Sequence, residues 1–390
     1  MKKDDILHKL KDDKFHSLNV YYVTPYGELR TGLDVPVSEA AGILDSGFTI
    51  DPAGIDRTIK GGTMADVTIL PDIKSFREIP SMDHDGLRVA HIFGDIFGNN
   101  GKAHPLCPRG TLKKSLADIL MADEKFIVGL ENEYYVRTNG ELTGENGYGL
   151  ESPDDPLTRL RRLTMHDIIS AGIDVTKSHK ECGKSQYEYV LKHADALTAA
   201  DNYLLADAIS RYRAGLHGYS IDRSPFMGSD NPVNSDHINM SIENGVNSFL
   251  EGDGISHAAK FFGEGVLDNN AIITALTNTT ANSYAALEKL GKFTGMGDSR
   301  MEIIRSKKGV LEYRTSDRSM CPHNTLAAIL GAGRSSAVVA GGKYRNAPKN
   351  FDGSIKTLES ALADGITLGL PNELFEFHIN NRKNGIGRDK

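Results

Sequence analysis

Short apolar runs alternate with polar punctuation along this chain, and four of the runs carry an acidic or histidine side chain on alternate residues. Side chains alternate across a strand, so residues i and i+2 share a face. In Phe126–Val136 (FIVGLENEYYV) that rule puts Glu131 and Glu133 together. In Gln186–Val190 (QYEYV) Glu188 stands between Gln186 and Val190, with Glu181 just upstream. In His237–Ser241 (HINMS) the rule aligns His237, Asn239 and Ser241, and in Val310–Arg314 (VLEYR) it aligns Glu312 with Arg314. Elsewhere the pattern predicts an amphipathic helix over residues 1–15, then two strands in LNVYYVTPYGELRTGLDVPV joined at Pro25-Tyr26-Gly27. Further strands follow in DVTILPD and LRVAHIFGDIF, the second ending at Gly98-Asn99-Asn100-Gly101. GTLKKSLADILMADE repeats Leu112, Leu116, Ile119 and Leu120 at helical spacing. ADALTAADNYLLADAISRYRAGLHG predicts the clearest helix, with Leu197, Leu204, Ala208, Ile209 and Tyr212 as its buried stripe and Gly215 or Gly218 as its stop.

Each acidic strand taken alone also describes an antiparallel strand with one wet face. The frame around Glu131 and Glu133 changes that, because FIVGL and YYV are strongly apolar and two like charges there are costly unless a cation neutralises them. Five carboxylates and one neutral imidazole suit two or three hard divalent cations such as Mg2+ or Mn2+, with space left for phosphate oxygens. That is the composition of a phosphoryl-transfer site. At 390 residues the chain exceeds one comfortable core, and a mostly β region gives way to mixed strands and helices near residue 105. The expected domains are therefore 1–105 and 106–390, with every ligand-bearing strand in the second.

A formal charge of −7 and the lack of any Lys/Arg-dense run argue against a nucleic-acid partner. The charged N-terminus is no signal peptide, and no apolar run reaches membrane-spanning length. Cys107, Cys182 and Cys321 are odd in number and widely spaced, which fits a reducing, cytoplasmic setting without disulfides or a zinc site. Cys182 lies beside Glu181 and is expected to pack rather than react. His8, His16, His84, His91 and His104 are expected on the surface or in loops. Thr143–Leu150 (TGENGYGL) is no phosphate loop, because no Lys-Ser/Thr follows.

These residues carry a resemblance to the glutamine synthetase family. GLENEYY resembles its Glu-x-Glu strand, and HKECGKSQYEY its later glutamate pair, with seven residues from Glu181 to Glu188. DHINMS is similar to its His-x-(His/Asn)-x-Ser strand, and SRMEIIR to its paired arginines, Arg300 and Arg305. VLEYRTSDRSMCPHNTLAAILGAG, DALTAADNYLL and PRGTLKKSL also match family positions, in family order, across most of residues 85–335. Before residue 85 the likeness is weaker: IDPAG only partly resembles the family's Phe-Asp-Gly-Ser-Ser loop.

The resemblance implies an α+β fold: an N-terminal β-grasp domain, then a catalytic domain whose curved antiparallel sheet is surrounded by helices. It implies ATP and Mg2+ (or Mn2+) as cofactors, a carboxylic acid phosphorylated by ATP, and ammonia or an amine attacking the acyl phosphate. Glu133, Glu181 and Glu188 would hold one metal, and Glu131, His237 and Glu312 a second. Arg300 and Arg305 would neutralise the transferring phosphoryl group. Asn239, Ser241 and Lys307 would line the nucleotide site, and Arg314 would contact the phosphorylated carboxyl. The family also implies homo-oligomeric rings, with Asp51 contributing to a neighbour's site in trans.

The departures cluster where the family holds glutamate. Pro232, Val233, Asn234 and Ser235, followed by Asp236, stand in place of its Asn-Gly-x-Gly loop, and Ala286 in NSYAAL replaces an arginine for the α-carboxylate. The flap glutamate has no match in EKLGKFTG. Either Arg223 or Lys289 has been recruited instead, or the substrate is not free glutamate; intact metal and phosphate positions favour the second. The remaining alternatives are a divergent true glutamine synthetase, a kinase of the same superfamily that releases its phosphorylated product, and a non-catalytic paralogue, which the intact ligand set disfavours.

Overall fold

The structure, a computed structural model, describes all residues except 63, 84, 292, 336–341 and 389–390, so His84 lies outside the described residues. Strands β1 (Ser17–Val23), β2 (Leu29–Pro36), β3 (Phe48–Ile50), β4 (Val67–Pro71), β5 (Arg77–Glu78) and β6 (Val89–Phe97) form the first sheet, in the order β2-β1-β6-β4-β3 with β5 on β6. Its central pair, β1 and β6, is parallel, and the other pairs are antiparallel. Helices Lys3–Asp12 and Ala40–Ser46 supply Ile6, Leu10, Ala40 and Leu44 to a core shared with Leu18, Val20, Ile69 and Ile92.

The second sheet is built on a 14-residue strand, β7 (Lys125–Thr138). After β7 come β8 (Glu141–Leu142), β9 (Val175–Lys180), β10 (Gln186–Leu191), β11 (Ala194–Asp195), β12 (Tyr219–Asp222) and β13 (Ile238–Glu243). A small hairpin of β14 (Leu250–Glu251) and β15 (Gly254–Ile255) precedes β16 (Met296–Gly297), β17 (Ile304–Lys307) and β18 (Val310–Tyr313). The sheet path is β16-β17-β18-β13-β7-β10-β9, with β8, β11 and β12 also paired to β7. Except for the β16–β17 pair it is antiparallel, which brings residues far apart in sequence into register on one face.

Helix Ala196–Leu216 starts at Asp195, whose side chain accepts from the Thr198 N–H, and packs between β7 and helix Pro322–Arg334. The sequence predicts one buried stripe here, but the run Ala199–Asp207 is buried on every side, so the helix is central rather than amphipathic. Its Asp201 is part of a buried polar lock between the two cores. Arg109, only 1% exposed, donates from Nε and Nη2 to Asp201 at 2.9 and 2.9 Å, and from Nη1 to Asp95 at 2.5 Å. Its Nη2 also reaches Asp72 at 3.2 Å, and His323 Nε2 lies 2.9 Å from Asp201. The β1–β2 turn meets the second core too: Gly27 has φ +75, and a Cβ there would stand 2.4 Å from the Met320 carbonyl oxygen.

His91 departs from its expected surface placement. It sits in β6, 5% exposed, stacked on Tyr21 with ring centroids 5.4 Å apart. Ala90 and Ile92 on either side give it an apolar frame, and neither ring nitrogen has a hydrogen-bond partner. Cys182 is exposed rather than packed, because it lies in the turn that follows β9.

Candidate active site

The register of the second sheet gathers the acidic residues. Glu188 on β10 pairs with Glu133 on β7 on one side and with His179 on β9 on the other. Asn239 on β13 pairs with Glu312 on β18, which in turn pairs with Arg305 on β17. Two clusters result, each with ligand atoms within 4.8 Å of one another: Glu131, His237 and Glu312, and His179, Glu181 and Glu188.

In the first cluster His237 Nδ1 lies 2.8 Å from Glu131 Oε2 and 3.6 Å from Glu312 Oε1. Asn239 Nδ2 donates to Glu131 Oε1 at 2.9 Å. Burial acts to raise the Glu131 carboxyl, but hydrogen bonds from His237 and Asn239 overcome it and leave the group down at about 2. Glu312 also lies below its ordinary value, since His237 and Lys307 outweigh its burial. Three cationic side chains converge on it: Lys307 and Arg314 directly, and Arg305 Nη1 at 3.7 Å.

In the second cluster His179 Nε2 lies 3.1 Å from both Glu181 Oε1 and Glu188 Oε2. Burial, and then the Glu131 charge, push the Glu188 carboxyl up to about 8. Glu133 is raised well above the carboxylate range by burial, aided by the charges of Glu188, Glu181 and Asp236 and opposed by a hydrogen bond from the Ser235 N–H at 2.7 Å. So many facing carboxylates stabilise one another only by taking up protons or a divalent cation. The donor set, oxygens with one imidazole per cluster, fits Mg2+ or Mn2+.

Of the sequence-predicted residues, Glu131, His237, Glu312, Asn239, Arg305, Lys307 and Arg314 meet at the first cluster, and Glu133, Glu181 and Glu188 at the second. Ser241 is buried further along the Asn239 face, opposite Ile127. Arg300 is exposed, and its backbone carbonyl accepts from Arg314 Nε at 3.1 Å. Asp51 sits apart in the N-terminal region, its carboxylate accepting from the backbone N–H of Ala53 at 2.8 Å and of Gly62 at 2.6 Å. Sequence reasoning missed His179, although HKE places it two residues before Glu181 under the same alternation rule.

The 232–235 loop is tied to the protein. Gln186 Nε2 donates to the Val233 carbonyl and to Asn234 Oδ1, both at 3.0 Å, and Asn234 Nδ2 donates to the Ser224 carbonyl at 3.0 Å. Tyr135 donates to the Pro232 carbonyl at 2.7 Å. Neither candidate substrate cation is free: Arg223 is held by Asp207 at 2.9 Å and Asp236 at 2.7 Å, and Lys289 donates to the carbonyls of Gly228, Ser229 and Asn231.

Residues 105–339 match the family model described as glutamine synthetase, catalytic domain. The chain is 28% identical over 337 residues to a glutamine synthetase of Pyrococcus furiosus, covering 83% of this chain and 75% of that one. It is 28% identical over 358 residues to a glutamine synthetase of Staphylococcus aureus, covering 85% and 78%. Among solved structures, apo GmaS superposes with a TM-score of 0.83 at 22% identity, over 98% of this chain and 96% of that one. The cryo-EM structure of Plasmodium falciparum glutamine synthetase gives 0.85 at 19% identity, over 99% and 96%. The chain belongs to the glutamine synthetase family. It is an ATP-dependent carboxylate–amine ligase, of a family that uses divalent metals. Among the described residues no helix is long and apolar enough to cross a membrane.

Proposed function

We propose that this ligase activates a carboxylic acid other than free glutamate and joins it to ammonia or an amine. The observation that carries the reading is the state of the glutamate-side positions. Ala286 is buried at 4% exposure where the family has an arginine, and the 232–235 loop spends its polar groups on Gln186, Tyr135, Ser224 and Glu133. A bidentate arginine–carboxylate contact has no substitute in alanine. The positions assigned to ATP chemistry are all present.

In this reading Glu131, His237 and Glu312 hold one divalent ion, and Glu181, Glu188 and Glu133, joined by His179, hold another, with two or three ions in all. Bound there, the ions neutralise charge on ATP and on the phosphoryl group in flight. Asn239, Ser241 and Lys307 line the nucleotide; Arg300 and Arg305 face the transferring group; Arg314 orients the carboxyl it reaches. Asp51 reaches a neighbouring subunit's site in a ring, and the chain divides near residue 105 into a β-grasp and a catalytic domain. Support for that division comes from the two hydrophobic cores, one of which runs from Ile6 to Cys107.

The test is ADP release from ATP and Mg2+ with a panel of acids, each with and without amines. A ligase of this kind releases ADP with an acid other than glutamate and requires the amine for full turnover. Amine-independent release would establish the kinase alternative.

A further inference from the structure

Strand β13 begins at Ile238, and just before it the His237 carbonyl accepts from the Glu131 N–H of β7 at 3.1 Å. Backbone N–H groups of residues i and i+2 leave a strand on the same edge. The next N–H on that edge, that of Glu133, is met by a side chain: Asp236 Oδ1 accepts it at 3.0 Å. The Ser235 N–H donates to Glu133 Oε2 at 2.7 Å, so Glu133 is gripped at its main chain and at its carboxylate.

Asp236 is itself fully buried and held on every side. Its N–H donates to the Ser316 carbonyl at 3.2 Å and its carbonyl accepts from the Ser316 hydroxyl at 2.7 Å, which ties it to the segment following β18 and Glu312. Its Oδ2 accepts from the Tyr203 hydroxyl of helix Ala196–Leu216 and from Arg223 Nη2 at 2.7 Å. Arg223 rests in turn on Asp207 at 2.9 Å.

A buried ion pair is often no more stabilising than apolar residues of the same volume, so stability is a weak reason for this one. Its placement is specific. One carboxylate touches β7 at Glu133, stands next to His237 at the start of β13, and belongs to a residue bonded to the chain beyond Glu312. We propose, on the reading of both clusters as ion sites, that Asp236 is a positioning residue for them. Its carboxylate fixes the Glu133 main chain against the His237 end of β13, and so keeps the ligands of the two clusters at their spacing. Asparagine cannot do this. It has one oxygen where Asp236 uses two, and whichever way the amide turns, its NH2 faces either the Glu133 N–H or the Arg223 guanidinium, which are both donors.

The test is titration of the full chain with Mn2+ in the absence of nucleotide, the free ion being read by its paramagnetic resonance signal. Asp236→Asn weakens Mn2+ binding about tenfold or more. Asp207→Asn is the control, since Asp207 pairs with Arg211, Arg223 and Arg318 outside both clusters. It lowers the urea midpoint and leaves Mn2+ affinity unchanged. If Asp236→Asn does not fold, Asp236→Leu combined with Arg223→Met decides: it removes the buried pair as a unit, which spares the fold, yet leaves the Glu133 N–H without its acceptor. Native Mn2+ affinity in the folded Asp236 variant, or an equal loss in Asp236→Asn and Asp207→Asn, overturns the proposal alone. Failure of the native chain to bind Mn2+ overturns the ion-site reading, and the proposal with it.

Discussion

His179 faces Glu188 directly across the β9–β10 ladder, with its Nε2 3.1 Å from the Glu188 carboxylate. The same nitrogen is 3.1 Å from Glu181, so an imidazole completes a cluster that would otherwise be all oxygen. Nitrogen donors favour Mn2+ over Mg2+. His179→Gln should therefore weaken Mn2+ binding on the order of tenfold while leaving Mg2+ binding less affected. Paramagnetic titration of Mn2+ without nucleotide reads this directly; unchanged Mn2+ affinity would remove His179 from the ligand set.

Glu131→Ala and Glu312→Ala should each abolish turnover while the fold survives. Each removes one ligand of the first cluster, and Glu312→Ala also leaves Lys307, Arg314 and Arg305 without their shared carboxylate. Circular dichroism and a steady-state assay on the same preparation separate the two effects. Normal activity in either variant would sink the site assignment.

Arg109 should be the most sensitive single position for stability. It links Asp72 and Asp95 of the first core region to Asp201 beneath the second sheet. Arg109→Ala leaves buried Asp201 with His323 alone, while Lys113 still holds Asp72 and Asp95, and breaking a buried pair in this way costs roughly 3–5 kcal/mol. Urea unfolding should show a correspondingly lower midpoint; a shift within error would mean that water replaces the guanidinium.

His91 should make the protein sensitive to mild acid. Burial holds its pKa down at about 4, against an ordinary 6.5, so the ring is neutral in the folded protein. Between those values the unfolded chain binds the extra proton, and stability falls as pH drops from 6.5 towards 4, by up to about 3 kcal/mol. His91→Phe keeps the stack on Tyr21, strands no hydrogen bond and removes this contribution. Unfolding midpoints at pH 7 and pH 5 should differ less in the variant than in the native chain. An equal difference would assign the acid sensitivity to other groups.

The strands that gather the acidic clusters were legible because period-two alternation is local: Glu131 with Glu133, and His237 with Asn239, declare their shared face within a few residues. His179 obeyed the same rule and was missed only because HKE lacks the apolar frame that marked FIVGLENEYYV. What could not be read is what depends on partners distant in sequence. Arg109 meets Asp201 92 residues away, and Gln186 meets Asn234 48 residues away. His91 was misplaced because a histidine is ordinarily polar, and only the sheet shows Tyr21 stacked on it. Arg223 and Lys289 were reasonable sequence candidates for a substrate cation until the fold paired both within the protein.

Under the proposed function the phosphoryl-transfer residues are kept while the grip on free glutamate is lost. Losing an arginine–carboxylate contact of this kind costs on the order of 2–4 kcal/mol, roughly a hundredfold or more in specificity. The most direct measurement is kcat/KM for glutamate with ammonia, set against acids that lack the α-amino or α-carboxyl group or carry a bulkier apolar one to meet Val233. One of these acids should exceed glutamate by about a hundredfold, and Ala286→Arg should narrow the gap. Turnover of glutamate and ammonia as fast as in an ordinary glutamine synthetase, with no better acid in the panel, would contradict it.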